Sequence, residues 1–155
     1  MKTATEFNIK GKDEFELLFC ANPGSAFQNL KKTVSGGEQS RIMLAIKTIL
    51  SSFKKLPTII FDEIDTGVSG EISKKMGIIM KELGTKIQTF SITHLPQIAA
   101  MGESHFMIYK NDTDGYTKTK ISRLNDNERI VEIAKMLEGN NASESAYTHA
   151  KQLLN

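Results

Sequence analysis

The stretch Thr58-Ile59-Ile60-Phe61-Asp62-Glu63 constrains the fold more than any other in this chain. Its apolar residues run on without the polar alternation of a one-sided strand. It therefore reads as a short strand at 58–62 buried on both faces, the kind found in parallel sheets. Pro57 ends the element before it, and two adjacent acids close it. A helical pattern follows over 70–83, with Met76, Ile79, Met80 and Leu83 facing inward and Gly84 ending it. A second buried strand runs from Ile87 to Thr93. Strand, helix and strand in this order form a right-handed parallel pair. Ligands of open α/β sheets bind at the carboxyl ends of such strands, where Asp62, Glu63 and His94 fall.

The rest of the chain frames this unit. Residues 3–9 and 13–21 suggest a hairpin joined at Gly11-Lys12, and Asn22-Pro23-Gly24-Ser25 breaks the pattern. Between Gly37 and Phe53, Ile42, Leu44, Ala45, Ile46, Ile49, Leu50 and Phe53 recur at helical spacing. After a helical turn at 95–101, a strand at 105–110 and a returning strand at 116–122 flank a polar turn at 111–115. Helices at about 126–138 and 143–154, separated by Gly139-Asn140-Asn141, finish the chain. No repeat, low-complexity tract or interdomain linker interrupts it, so residues 1–155 read as a single domain.

Ser35 and Glu38 form an S-x-x-E capping box at the start of the 37–53 helix. Most capping boxes only satisfy free amides. The twin glycines Gly36 and Gly37 point further, because glycine costs about 1 kcal/mol in a helix relative to alanine. A pair of them suggests that something approaches the backbone closely. Free amides and the positive helix end favour an anion, most naturally a phosphate.

The acids sharpen this reading. Successive strand side chains point to opposite faces, so Asp62 and Glu63 have different tasks. Asp62 suits a phosphate-bound Mg²⁺, which takes oxygen ligands and keeps much of its water. Glu63 suits the attacking water, as general base or orienter. Asp65 and Ser69 fit an ordinary strand-to-helix loop. If the two strands are neighbours, His94 shares the rim with Glu63 and can contact a terminal phosphate or orient the water. His105 and His149 have no such context and read as surface or packing residues. No Cys/His cluster supports zinc, and no nucleophile–base arrangement supports a serine or cysteine hydrolase.

Composition excludes little more. The chain is 39% apolar and 25% charged, as in globular proteins. With 20 Lys and Arg against 18 Asp and Glu, its net charge is only +2. Lys31-Lys32, Lys54-Lys55 and Lys74-Lys75 read as solvated faces rather than a DNA track. The lone Cys20 fits a reducing cytoplasm. No signal peptide or membrane-length apolar run is present, so Asn141-Ala142-Ser143 is a chance sequon.

With these residues in place, the chain resembles the ABC-type ATPases of the SMC and Rad50 class. Val34-Ser35-Gly36-Gly37-Glu38 is similar to the signature motif, Thr58 to Glu63 to Walker B with its catalytic glutamate, and His94 to the switch histidine. A narrower likeness, to a DNA-repair branch of that class, covers nearly the whole chain. It rests on Ala21-Asn22-Pro23-Gly24, on Ser35 through Lys47 and on Asp62 through Gly70. It also rests on Thr93 through Ala100 and on Glu128 through Leu137. The resemblance implies the carboxyl-terminal lobe of a P-loop ATPase head, with a mostly parallel sheet flanked by helices and the Walker A strand missing. No glycine-rich loop ending in Gly-Lys-Ser/Thr occurs in the sequence.

The resemblance further implies ATP and Mg²⁺ as cofactors of the complete head, with Glu63 and His94 catalytic and Asp62 at the metal. Ser35, Gly36, Gly37 and Glu38 would reach a nucleotide held by a second copy, and Asp65 and Ser69 would lie in a dimer-contact loop. Many ABC proteins place an aspartate where Ser69 falls, so Ser69 inherits a position and no carboxylate role. Implied partners are an N-terminal Walker A lobe, a second head and, for the full-length protein, DNA; no membrane is implied. The implied setting is cytoplasmic and nucleoid-associated, in recombinational repair of double-strand breaks.

In the family's sheet, the strand leading to Walker A lies between the His94 strand and the next. Alone, strands 87–93 and 105–110 must close over that place, stay apart or recruit another chain. An open edge is a template for pairing, so the chain is expected to self-associate. Lacking the phosphate-cradling loop, it is expected to bind ATP weakly or not at all. The alternatives are a non-hydrolysing dimerisation or scaffold module of the same shape, and direct DNA binding. The acidic pair and His94 disfavour the former. Mild charge without aromatic–basic interleaving disfavours the latter.

Overall fold

In the computed structural model, residues 2–9, 11–14, 16–20, 22–30, 34–113 and 116–155 are described. Strand β1 (Lys2–Asn8) pairs antiparallel with β2 (Gly11–Glu14), and β3 (Leu18–Phe19) with β4 (Gln28–Asn29). The expected hairpin is therefore correct in its first arm only. Gly11 and Lys12 open the second strand instead of forming the turn, and Leu18-Phe19 turns away to a different partner. Of the lysine pairs, Lys54, Lys55, Lys74 and Lys75 are exposed, while Lys31-Lys32 lies outside the described residues.

Helix α1 (Gly36–Lys54) begins at the Ser35 cap and stops at Lys55, whose φ of 46° and ψ of 48° are left-handed. A left-handed residue with a Cβ costs roughly 1–2 kcal/mol. Lys55→Gly should therefore raise stability by about 0.5–1 kcal/mol after the extra unfolded-state freedom of glycine is subtracted. Urea unfolding checks this, and an unchanged or lower midpoint would show that the terminus is relaxed as it stands.

After α1, β5 (Thr58–Asp62) runs parallel to β6 (Gln88–Ile92), in register from Thr58 opposite Gln88 to Asp62 opposite Ile92. Helix α2 (Gly70–Gly84) makes the crossover. Its buried residues Met76, Met80 and Leu83 meet Ile59 and Phe61 of β5, together with Leu44, Ile64, Val68 and Ile98. Phe61 is 0% exposed. Burial on both faces, as expected from the apolar run, is not what occurs. The face carrying Ile60, Phe90 and Ile92 is open, with Ile60 56% exposed. Within the described residues, α2 covers only one side of the pair. Ile79 likewise points outward, and of the apolar stripe on α1 only Leu44 is fully buried.

Helix α3 (Pro96–Ala99) leads to β7 (Phe106–Thr113) and its antiparallel partner β8 (Tyr116–Arg123). Asn111, Asp112 and Thr113, expected in a turn, extend β7, and Asp114-Gly115 lies outside the described residues. Helices α4 (Asp126–Glu138) and α5 (Glu144–Leu154) follow and share a second cluster of Ala100, Ile133, Ala134, Ala146 and Ala150. Parallel pairing is confined to β5 and β6 among the described residues. The sheet expected to be mostly parallel is thus reduced to that pair, because no further crossover brings a strand alongside β6. Strands β6 and β7 belong to different sheets, so they do not close over that place within the chain. No helix among the described residues is long and apolar enough to cross a membrane.

Candidate functional site

The start of α1 is held by its own side chains. The Ser35 backbone N–H and hydroxyl both donate to Glu38 Oε2 at 2.9 Å, and Glu38 N–H donates to Ser35 Oγ at 3.4 Å. The bond from the Ser35 backbone, then that from its hydroxyl, holds the Glu38 carboxyl below its ordinary value. The capping box is therefore complete, and the serine hydroxyl is engaged within it.

The twin glycines separate into two roles. A Cβ on Gly37 would stand 2.5 Å from the Gly67 carbonyl oxygen, whereas one on Gly36 would meet nothing within 4 Å. What approaches Gly37 closely is thus the 63–69 loop of the same chain. Gly67 itself has φ +73°, and its Cβ would crowd the Gly37 nitrogen at 3.1 Å. Ser40 fastens the same junction, donating to Gly36 O at 3.0 Å or to Thr66 O at 3.1 Å. Gly36 alone leaves its backbone open to an outside group.

Asp62 ends β5 with an exposed side chain. Glu63, also exposed, has φ +46°, and its N–H donates to Ile92 O at 3.1 Å, which ties it to the end of the neighbouring strand. A left-handed non-glycine residue is uncommon, and such strain concentrates at functional positions. His94 lies two residues beyond Ile92 with its side chain 65% exposed. The acids and the imidazole therefore share one rim, as expected from the order of the strands.

Asp65 departs from its expected place. It is 1% exposed, so its carboxylate faces inward and is not offered to a dimer contact. Thr93 Oγ1 donates to Asp65 Oδ2, and His94 Nδ1 lies 3.9 Å from the same oxygen. Ser69, at the N-terminus of α2, is exposed and makes no side-chain cap.

A cleft of about 290 Å³ is lined by Gly36, Gln39, Ser40, Met43, Lys47, Asp62, Ile64 and Thr66. It joins the open glycine to the first acid, while Glu63 and His94 stand outside it. Lys47 was not singled out by the sequence. Its Nζ donates to Ile60 O at 3.3 Å and sits 5.3 Å from the centroid of the Phe61 ring. The only available signal was a cation three positions after the buried Leu44 on α1. His149 is exposed, as expected, and His105 is half-buried; burial, followed by the charge of Arg129, pushes the His105 imidazole below its usual value.

The fold is similar to part of an SMC head domain. It matches an SMC ATPase studied for ATP-driven dimerization and DNA stimulated activation, with a TM-score of 0.58 over 80% of this chain and 81% of that one, at 21% identity. It also matches the Smc head domain with coiled coil and joint from Pyrococcus yayanosii, with a TM-score of 0.60 over 78% of this chain and 25% of the other, again at 21% identity. At such identities the likeness is one of fold.

No protein-family model matches the chain. In sequence it is 41% identical over 148 residues to the DNA repair protein RecN of Halalkalibacterium halodurans, covering 96% of this chain and 26% of that protein. The RecN of Bacillus subtilis is 41% identical over 145 residues (94% and 25%), and that of Rickettsia prowazekii 40% over 154 (99% and 28%). The chain belongs to the RecN family and spans about a quarter of the length of these relatives.

Proposed function

We propose that this chain is the carboxyl-terminal lobe of an SMC-like ATPase head acting in recombinational repair of DNA double-strand breaks in the cytoplasm. The observation that carries the reading is the shared rim: Asp62 ends β5, Glu63 follows it directly, and Glu63 N–H bonds to β6 two residues before His94. Asp62 would hold Mg²⁺. Among the described residues no three His, Cys, Asp or Glu side chains converge on a metal position, so phosphates and water would supply the other ligands. A single exposed carboxylate of this kind suits magnesium. Bound there, the ion would offset negative charge on the nucleotide phosphates.

The remaining chemistry belongs to the chain's own residues. The exposed carboxylate of Glu63 would accept the proton of the attacking water. His94 would orient that water or contact the terminal phosphate. At the start of α1, the Gly36 amide would meet the nucleotide of a second head, and the Ser35 hydroxyl would join it by exchanging its bond to Glu38 for one to a phosphate oxygen, while Gly37 and Glu38 keep the turn in shape. An N-terminal lobe bearing Walker A would place its strand between β6 and β7 and cover the open face of Ile60, Phe90 and Ile92. The open edge of β6 and this apolar surface support that arrangement.

Co-expression with the N-terminal lobe of a RecN relative tests the reading. The joined head should hydrolyse ATP, whereas calorimetry of the chain alone should register no tight ATP–Mg²⁺ binding. Tight binding by a monomeric sample of the chain, or a joined head that binds ATP without turning it over, would overturn the reading.

A further inference from the structure

We infer that Asp65 is a positioning residue for His94, holding the imidazole with its proton on Nδ1 and its Nε2 turned outward as a bare acceptor. The inference rests on the reading of His94 as a nucleotide-facing group. Asp65 is the most deeply buried acid among the described residues, at 1% exposure, in contrast to exposed Asp62 and Glu63. A buried carboxylate is costly unless donors surround it. Leu95 N–H donates to Thr93 Oγ1 at 3.0 Å, which directs the Thr93 hydroxyl proton towards Asp65 Oδ2.

That single hydroxyl is thin compensation, and Asp65 Oδ1 has no hydrogen-bond partner among the described residues. The donor standing beside the carboxylate is His94 Nδ1, 3.9 Å from Oδ2, beyond hydrogen-bond range but on a ring exposed enough to turn inward. The ring nitrogen that carries the proton is set by the partner of the other. A carboxylate on the Nδ1 side therefore leaves Nε2 free to accept from water at the rim. The carboxylate belongs to the loop that follows Glu63, so one short segment would place both the base and, indirectly, the histidine.

The test uses the chain itself, labelled with ¹⁵N, in mildly alkaline solution. Long-range ¹H–¹⁵N spectra report the tautomer of each imidazole, and His94→Gln assigns the signal. The wild type should show Nδ1–H at His94. Asp65→Asn should move the tautomer ratio towards Nε2–H by roughly tenfold, the scale of a bond to a charged group. Thr93→Val, which removes the structural tie and keeps the charge, should leave the preference in place. Equal ratios in wild type and Asp65→Asn would overturn the inference, as would an equally large shift in Thr93→Val. Should Asp65→Asn fail to fold, the wild-type spectrum decides, because dominant Nε2–H at His94 contradicts the proposed contact. No nucleotide enters the measurement, so failure here is distinguishable from failure of the ATPase reading.

Discussion

Replacing Glu63 by glutamine in a head completed with a Walker A lobe should lower ATP turnover about 10²–10⁴-fold, the usual contribution of a positioned general base. The exchange is isosteric, the side chain is exposed, and the N–H bond to Ile92 O at 3.1 Å belongs to the backbone. The thermal midpoint should therefore not move. Nucleotide binding should persist as well, because Asp62 and the helix start are untouched. ATP-bound dimers that cannot discharge their nucleotide should accumulate, and size-exclusion chromatography would detect them. Unchanged turnover would remove Glu63 from the chemistry, whereas a wild-type joined head with no turnover at all would favour a non-hydrolysing scaffold of the same shape.

Gly37→Ala should destabilise the chain by about 1–3 kcal/mol, the range for forcing a methyl into a filled space. The added carbon would stand 2.5 Å from the Gly67 carbonyl, and both sides of the contact are backbone. On one side is the first turn of a capped helix. On the other is a loop residue already at φ +73°. Gly36→Ala meets nothing within 4 Å and exchanges a poor helix former for the best one, so stability should hold or rise by up to about 1 kcal/mol. Urea denaturation of the two variants compares them directly. Equal losses would mean that the junction with Gly67 is not what demands glycine. In the joined head the order should reverse: Gly36→Ala should impair the encounter with a second head's nucleotide more than it impairs folding.

The elements with a local signature were legible in advance. Ser35 and Glu38 mark the start of α1 and Pro57 follows its end, while the apolar run to Asp62 marks β5. The rim shared by Asp62, Glu63 and His94 follows from strand order alone. Features that depend on a distant partner were not legible. Two residues of β3 meeting two of β4 carry no period for a pattern to show. The polar run Asn111-Asp112-Thr113 reads as a turn, yet backbone pairing with β8 holds it extended whatever its side chains. Gly37 looked like half of a phosphate cradle because sequence cannot display Gly67 across the junction. Asp65 looked like a loop acid because its burial depends on Thr93, 28 positions away. The apolar run of β5 promised two covered faces, and Ile60 shows that only one cover is supplied here.

Helix α3 has a consequence for how movement is shared. It begins two residues after His94, and its ends are pinned by bonds from Ala99 N–H to Leu95 O and from Ala100 N–H to Pro96 O, both 3.0 Å. Ile98 plugs into the cluster around Phe61, while Ala99 and Ala100 plug into the cluster of α4 and α5. A rigid peg seated in two close-packed sockets cannot tilt in one without disturbing the other. Displacement of the β6 terminus by an arriving ligand would therefore be felt as a discrete click on the far helical pair rather than fading along the way.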